Sequence, residues 1–188
     1  MSLVDKVIAA VTPPESEEAR LEARSKAQKA GASSPWLAQV LEHHMQIEDA
    51  FAAVKRASDG ASRRDAQKQL AGILTAHSIA EEAVLYPALA LHGEKSHATS
   101  AYTEQSAAKI QMAALEDLDP MSQDYLDKLE HIRGAVAHHV YEEEGTWFLE
   151  LSKIPDIQQV LEQRYMREFE RYLGHGAGAD AKSLSTYE

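Results

Sequence analysis

The sequence predicts an all-α protein: an up-down-up-down four-helix bundle with an added helix at each end. Three observations carry that prediction. The chain is rich in Ala, Leu, Glu, Gln and Lys, which favour helix throughout. Its Gly- and Pro-bearing breaks are few and leave long uninterrupted segments between them. Within the second and fourth of those segments, apolar residues return every three or four positions, the period of a helix with one buried face.

The elements follow in order. Thr12-Pro13-Pro14 closes a short N-terminal segment, and Ala30 to Pro35 reads as a linker. Glu15 to Lys29 is charged with few apolar residues, so a helix there would be largely solvated; residues 1–34 form a helical extension. The first bundle helix should start at Pro35, with Ser34 as its N-cap, and run to about Ala57. Asp59-Gly60 makes a turn, Ser62 caps the second helix, and Gly93 stops it just past His92. The third runs from about Lys95 to Asp117. Ser122 caps the fourth, which reaches about Lys153 before Ile154-Pro155 interrupts it. The bundle thus spans 35–154 and a C-terminal helix lies within 155–174. Gly174-His175-Gly176-Ala177-Gly178 opens a flexible tail over 175–188.

Composition narrows the function. The 188 residues include no cysteine, which excludes disulfide scaffolds, thiolate metal sites and a thiol nucleophile. Thirty acidic against nineteen basic residues give a net charge of −11, a field that attracts cations and disfavours nucleic acid and anionic membranes. Apolar runs are far shorter than the roughly 20 residues of a membrane span. The N-terminus lacks the apolar core of a signal peptide, so a cytoplasmic protein with neither nucleic-acid nor membrane partners is expected. The oligomeric state is left open.

Histidine and glutamate carry the chemical signal. Four of the nine histidines have a carboxylate four residues later: His44/Glu48, His77/Glu81, His138/Glu142 and His139/Glu143. Chance would give about 1.4, from nine histidines and an acidic fraction of 30 in 188. The four-residue step places each pair on one helix face. In the second helix that face is also apolar: Leu70, Ile73, Leu74, His77, Glu81, Val84 and Leu85 follow one another at helical steps. Leu126, Leu129, Ile132, Val136, His139 and Glu143 do the same in the fourth, and Ile47 and Phe51 lie near the His44 face. The segments His77–Leu89 and His139–Leu151 share the ungapped pattern H-x3-E-E-x3-aromatic-x2-L, which selects His139 over His138 as the inward residue.

Burying several carboxylates and imidazoles together costs several kcal/mol for each unpaired charge, so such clusters persist when paired or metal-bound. Mixed imidazole and carboxylate donors suit iron, manganese or zinc. Facing helices of a bundle supply such sites, with Glu and His one turn apart.

The stretches Leu41 to Phe51, His77-x3-Glu81-Glu82-x3-Tyr86-Pro87 and His138-His139-x2-Glu142-Glu143-Glu144 with Phe148 resemble bacterial hemerythrin-like proteins, the HHE cation-binding domain family. The resemblance covers about residues 35–152. It implies a non-haem di-iron centre with His44, His77, Glu81, His139 and Glu143 as iron ligands and Glu48 as a further candidate; zinc or manganese could replace iron. The third helix departs from the family pattern, because Gln105 stands where a histidine is expected. Glu104 or Tyr102 could supply the missing ligand; His97, eight residues earlier, is about 12 Å away along a helix. A ligand set poorer in histidine than the marine-worm oxygen carriers argues against reversible oxygen carriage. The lack of cysteine argues against the family's iron–sulfur repair branch.

The resulting expectation is an iron protein that reacts with or senses dioxygen, peroxide or nitric oxide, or that handles iron. The alternative is a non-catalytic metal-binding or interaction bundle with a partial, mononuclear site. His138 and Glu142 are expected to face outward or to orient ligands, His92, His97, His131 and His175 to lie at the surface, and Met45 and Met112 to fill the core.

Overall fold

In a computed structural model, residues 15–176 are described, and every regular element among them is helical. Helix α1 is Glu17–Gly31 and α2 is Pro35–Arg56. Helix α3, Gly60–Ala80, passes through a π turn, Glu81–Leu85, into α4, Tyr86–Leu91. Helix α5 is Lys95–Glu116. Helix α6, Gln123–Glu142, passes through a second π turn, Glu143–Trp147, into α7, Phe148–Ser152. A 3₁₀ turn, Pro155–Ile157, leads to α8, Gln158–Gly176. No helix among the described residues is long and apolar enough to cross a membrane.

Helices α2, α3–α4, α5 and α6–α7 form the four-helix bundle. Helix α1 packs on α2 and on the second π turn, and α8 packs along α3 and α2. Several boundaries follow the local chemistry expected of them. Gly93 adopts φ +103°, the left-handed geometry that ends a helix, and the Ser122 hydroxyl accepts the Tyr125 N–H. Asp59, not Ser62, caps α3: its carboxylate accepts the Ser62 N–H at 2.9 Å, so Gly60 already belongs to the helix. Ser34 precedes Pro35 as expected but makes no side-chain cap, because its hydroxyl donates to Gln158. Helix α8 continues to Gly176, past the expected start of the tail; residues 1–14 and 177–188, with the rest of that tail, lie outside the described residues.

The core comes in two apolar blocks. One gathers Trp36, Leu37, Leu85, Leu89, Phe148 and Phe169. The other gathers Ile47, Phe51, Leu70, Leu115, Tyr125 and Ile132. Along each bundle helix the two blocks are separated by the same kind of step: His44 between Leu41 and Ile47, His77 just past Leu70, Gln105 between Ala101 and Met112, His139 between Ile132 and Trp147. A single polar layer therefore crosses the bundle between two dry blocks. The surrounding apolar packing raises the cost of leaving any group in that layer unpaired.

Candidate metal centre

Helix α2 carries His44 into the layer, α3 carries His77, and both π turns begin at a glutamate of the layer. In each turn the backbone closes i→i+5, Tyr86 N–H to Glu81 O and Phe148 N–H to Glu143 O. Pro87 accounts for the first turn, since it has no N–H and its ring would crowd the carbonyl of residue 83. The second has no proline, and nothing in its local sequence explains it. The two turns coincide with the repeated H-x3-E-E segments, and π turns of this kind are frequent at functional sites.

His44, His77, Glu81 and Glu143 each offer one ligating atom, and these four atoms lie within 4.8 Å of one another. All four residues are buried. His44 Nε2 is 3.3 Å from Glu143 Oε2 and 3.9 Å from Glu81 Oε1, and His77 Nε2 is 3.2 Å from Glu81 Oε2. His44 Nε2, Glu81 Oε1 and Glu143 Oε2 are fully enclosed, and close as they lie, none of them makes an aligned hydrogen bond. Orphaned buried donors and acceptors of this kind are rare and costly. A cation between them would satisfy all three, so the residues present fit a metal.

The remaining nitrogen of each imidazole is held from outside the cluster. His44 Nδ1 is 2.9 Å from Glu144, and Arg24 of α1 binds that same carboxylate through Nε and Nη2 at 3.0–3.2 Å. His77 Nδ1 is 3.0 Å from the hydroxyl of Tyr165 on α8. His139 Nδ1 is 2.7 Å from Glu104. Such contacts fix the tautomer that turns Nε2 inward and make the imidazole a better donor to metal.

A second set of atoms converges beside the first. The Tyr86 hydroxyl lies 3.0 Å from His139 Nε2, 2.9 Å from Glu143 Oε1 and 3.1 Å from Glu81 Oε2. Gln105 Nε2 donates to Glu81 Oε2 at 2.6 Å and to the Tyr86 oxygen at 2.5 Å. The donor atoms left over from the first cluster are thus satisfied by a phenol and an amide.

Electrostatics follow from crowding in a dry layer. Burial and the neighbouring Glu143 push the Glu81 carboxyl up to about 7. Burial works the same way on Glu143, but the His139 and His44 imidazoles overcome it and hold its pKa below the ordinary range. Burial opposes charge on His44 and His139; the surrounding carboxylates outweigh it, raising His44 well above its usual value and His139 to about 10. His77 is depressed by burial and by the His44 charge. Burial and two carboxylates push the Tyr86 phenol up.

The structure places the sequence candidates unequally. His44, His77, Glu81 and Glu143 meet in one cluster, and His139 adjoins it through Glu143, at 3.2 Å, and Tyr86. Glu104 turns toward the outer nitrogen of His139 rather than into the cluster. Glu48 is exposed and binds Arg24 at 2.7 Å, so it stands apart from its expected place among the ligands; the α1 guanidinium competes for it at the surface. Tyr102 donates to the Glu82 carbonyl and meets the Tyr86 ring edge-on. His138 pairs with Glu15, away from the ligands. His97, expected at the surface, is half-buried and stacks on Trp147, whereas Met45, expected in the core, is partly exposed. Sequence reasoning missed Glu144, Arg24, Tyr165 and the inward hydroxyl of Tyr86. It also missed His43, which is buried between Tyr165 and Phe169.

A helical bundle with a buried His/Glu cluster between two apolar blocks defines a cation-binding bundle. The model of the hemerythrin HHE cation-binding domain matches residues 36–151, and the chain belongs to that family. A DNA nickase of Nostoc sp. (strain PCC 7120 / SAG 25.82 / UTEX 2576) is 28% identical over 105 residues, 56% of this chain but 30% of the nickase. The chain therefore spans under a third of that relative's length. No solved structure gives a significant match.

Proposed function

We propose that the chain binds one redox-active cation, iron by its donor set, between His44, His77, Glu81 and Glu143, and that it senses or turns over a small oxidant such as dioxygen, peroxide or nitric oxide. The carrying observation is the trio of enclosed atoms without an aligned hydrogen bond, His44 Nε2, Glu81 Oε1 and Glu143 Oε2. Two imidazoles and two carboxylates without thiolate suit iron, with manganese or zinc as competitors. Iron, when bound, would supply electron exchange with the small molecule. The chain's own residues do the rest: Glu144 and Tyr165 orient the two imidazoles, and the apolar blocks on either side exclude water.

A di-iron centre is the second reading. It draws support from the convergence of His139 Nε2, Glu143 Oε1 and Glu81 Oε2 on one point. The Tyr86 hydroxyl stands at that point and Gln105 stands beside it, which favours a single cation with the phenol filling the second position. DNA nicking, for which the Nostoc relative is named, draws no support from a chain of net charge −11 that covers 30% of that protein.

The test is iron per chain after anaerobic ferrous loading and desalting, in the wild type and in Tyr86→Phe. The reading expects about one iron in the wild type, rising toward two once the hydroxyl is gone. Two irons in the wild type with a loss in the variant would make Tyr86 a ligand and the centre di-iron. No retained iron would overturn both readings.

A further inference from the structure

A cavity of about 220 Å³ enters the bundle between α3, α5 and α6 and ends against His77, Gln105 and His139. Its walls are Ile47, Leu74, Met112 and Val136, with Ala71 and Ala108 where the helices face each other. Short side chains at those positions leave the space between the helices unfilled, whereas Leu70, Leu115 and Tyr125 pack into the core. The rim includes the exposed side chains of Thr75, Lys109 and Glu116. At the inner end, Gln105 is 5% exposed and its Oε1 has no hydrogen-bond partner. Its Nε2 is committed to Glu81 and Tyr86, so the free atom is an acceptor.

Dioxygen, peroxide and nitric oxide need far less room than this. A cavity of about 150 Å³ with comparable walls holds benzene. The rim offers a charged ligand little: Lys109 is already paired with Glu82 at 2.6 Å and Glu104 with His139 at 2.7 Å. Mostly apolar walls with an unpartnered amide oxygen at the inner end match a neutral ring or short chain carrying a single O–H or N–H group.

We infer that this cavity is a binding site for a small neutral organic molecule of about phenol's size, its donor hydrogen-bonded to Gln105 and its apolar body between Leu74, Met112 and Val136. The site lies beside the cation position and would give the proposed function an organic ligand; the binding itself needs no cation, so the two readings fail separately.

Phenol is the probe, with benzene as the analogue lacking the donor. Both are titrated into full-length protein, metal-free and zinc-loaded, while methyl resonances of Ile47, Leu74, Met112 and Val136 are followed by NMR. Saturable shifts confined to these methyls are expected at one phenol per chain. Benzene should bind several-fold more weakly, because one hydrogen bond contributes about 0.5–1.5 kcal/mol. Ala108→Phe and, from the opposite wall, Ala71→Leu should each weaken phenol at least tenfold with helicity and metal uptake unchanged. Non-saturable shifts, or wild-type affinity in both folded variants, would overturn the inference. Benzene equal to phenol would remove Gln105 from the recognition and overturn it in that part.

Discussion

The hydroxyl of Tyr165 lies 3.0 Å from Nδ1 of His77 and 2.8 Å from Nδ1 of His43, although its helix lies beyond the residues that match the family domain. A cation on His77 Nε2 requires the proton on Nδ1. The Tyr165 oxygen then accepts a hydrogen bond from that N–H, and its own O–H donates to His43 Nδ1. Burial and the neighbouring His44 charge keep His43 neutral, with a pKa lowered to about 4, as this arrangement needs.

Tyr165→Phe removes one oxygen and leaves the ring packing. The expected result is a loss of about 10–100-fold in cation affinity, the usual effect of losing an outer partner of a ligating imidazole. The metal-free protein should lose about 1–3 kcal/mol for each buried ring nitrogen left without a partner. Chelator competition and thermal unfolding measure the two; equal affinity in variant and wild type would show that Tyr165 serves packing alone.

Arg24 joins the other appended helix to the site through Glu144 and His44. Arg24→Met leaves the buried Glu144 carboxylate without its guanidinium, and since Arg24 is itself partly exposed, a loss of about 1–3 kcal/mol is expected in urea unfolding. Glu48→Gln breaks only an exposed pair and should stay within about 0.5 kcal/mol, with cation affinity unchanged. Lost affinity in Glu48→Gln would restore Glu48 as a ligand.

The metal-free protein should lose stability as pH rises from about 6.5 to about 10. Despite the opposing effect of burial, Glu143 and Glu104 raise the folded pKa of His139 to about 10, against about 6.5 unfolded. Its contribution is complete below the unfolded value and disappears as pH climbs through the folded one. Glu81, raised by burial and Glu143 to about 7, adds to the decline below pH 7. A falling melting temperature, less steep in His139→Gln and still falling there because the surrounding carboxylates raise His44 in the same way, is the expected record; a rise across the interval would contradict it.

What the sequence could show of this site depended on helical period. His77, Glu81, His139 and Glu143 continue apolar stripes, so four-residue spacing and the repeat place them inward without tertiary information. The same rule pairs His44 with Glu48, whose carboxylate in the structure lies at the surface one turn on and meets Arg24, on a helix read as mere extension. Tyr86 lies five residues after Glu81, which an ordinary α-helix would splay apart; the π turn brings its hydroxyl to 3.1 Å from Glu81. Glu144 left a signal in the doubled glutamate of the repeat. Tyr165 and Arg24 left none, since their partners lie 88 and 120 residues away.

The most direct test of the cation site is a crystal of the iron-loaded protein with anomalous scattering recorded at the iron edge. One peak bounded by His44 Nε2, His77 Nε2, Glu81 and Glu143, with the Tyr86 hydroxyl in place beside it, is the predicted result. Two peaks bridged by Glu81 and Glu143, or a peak away from these four residues, would contradict the account.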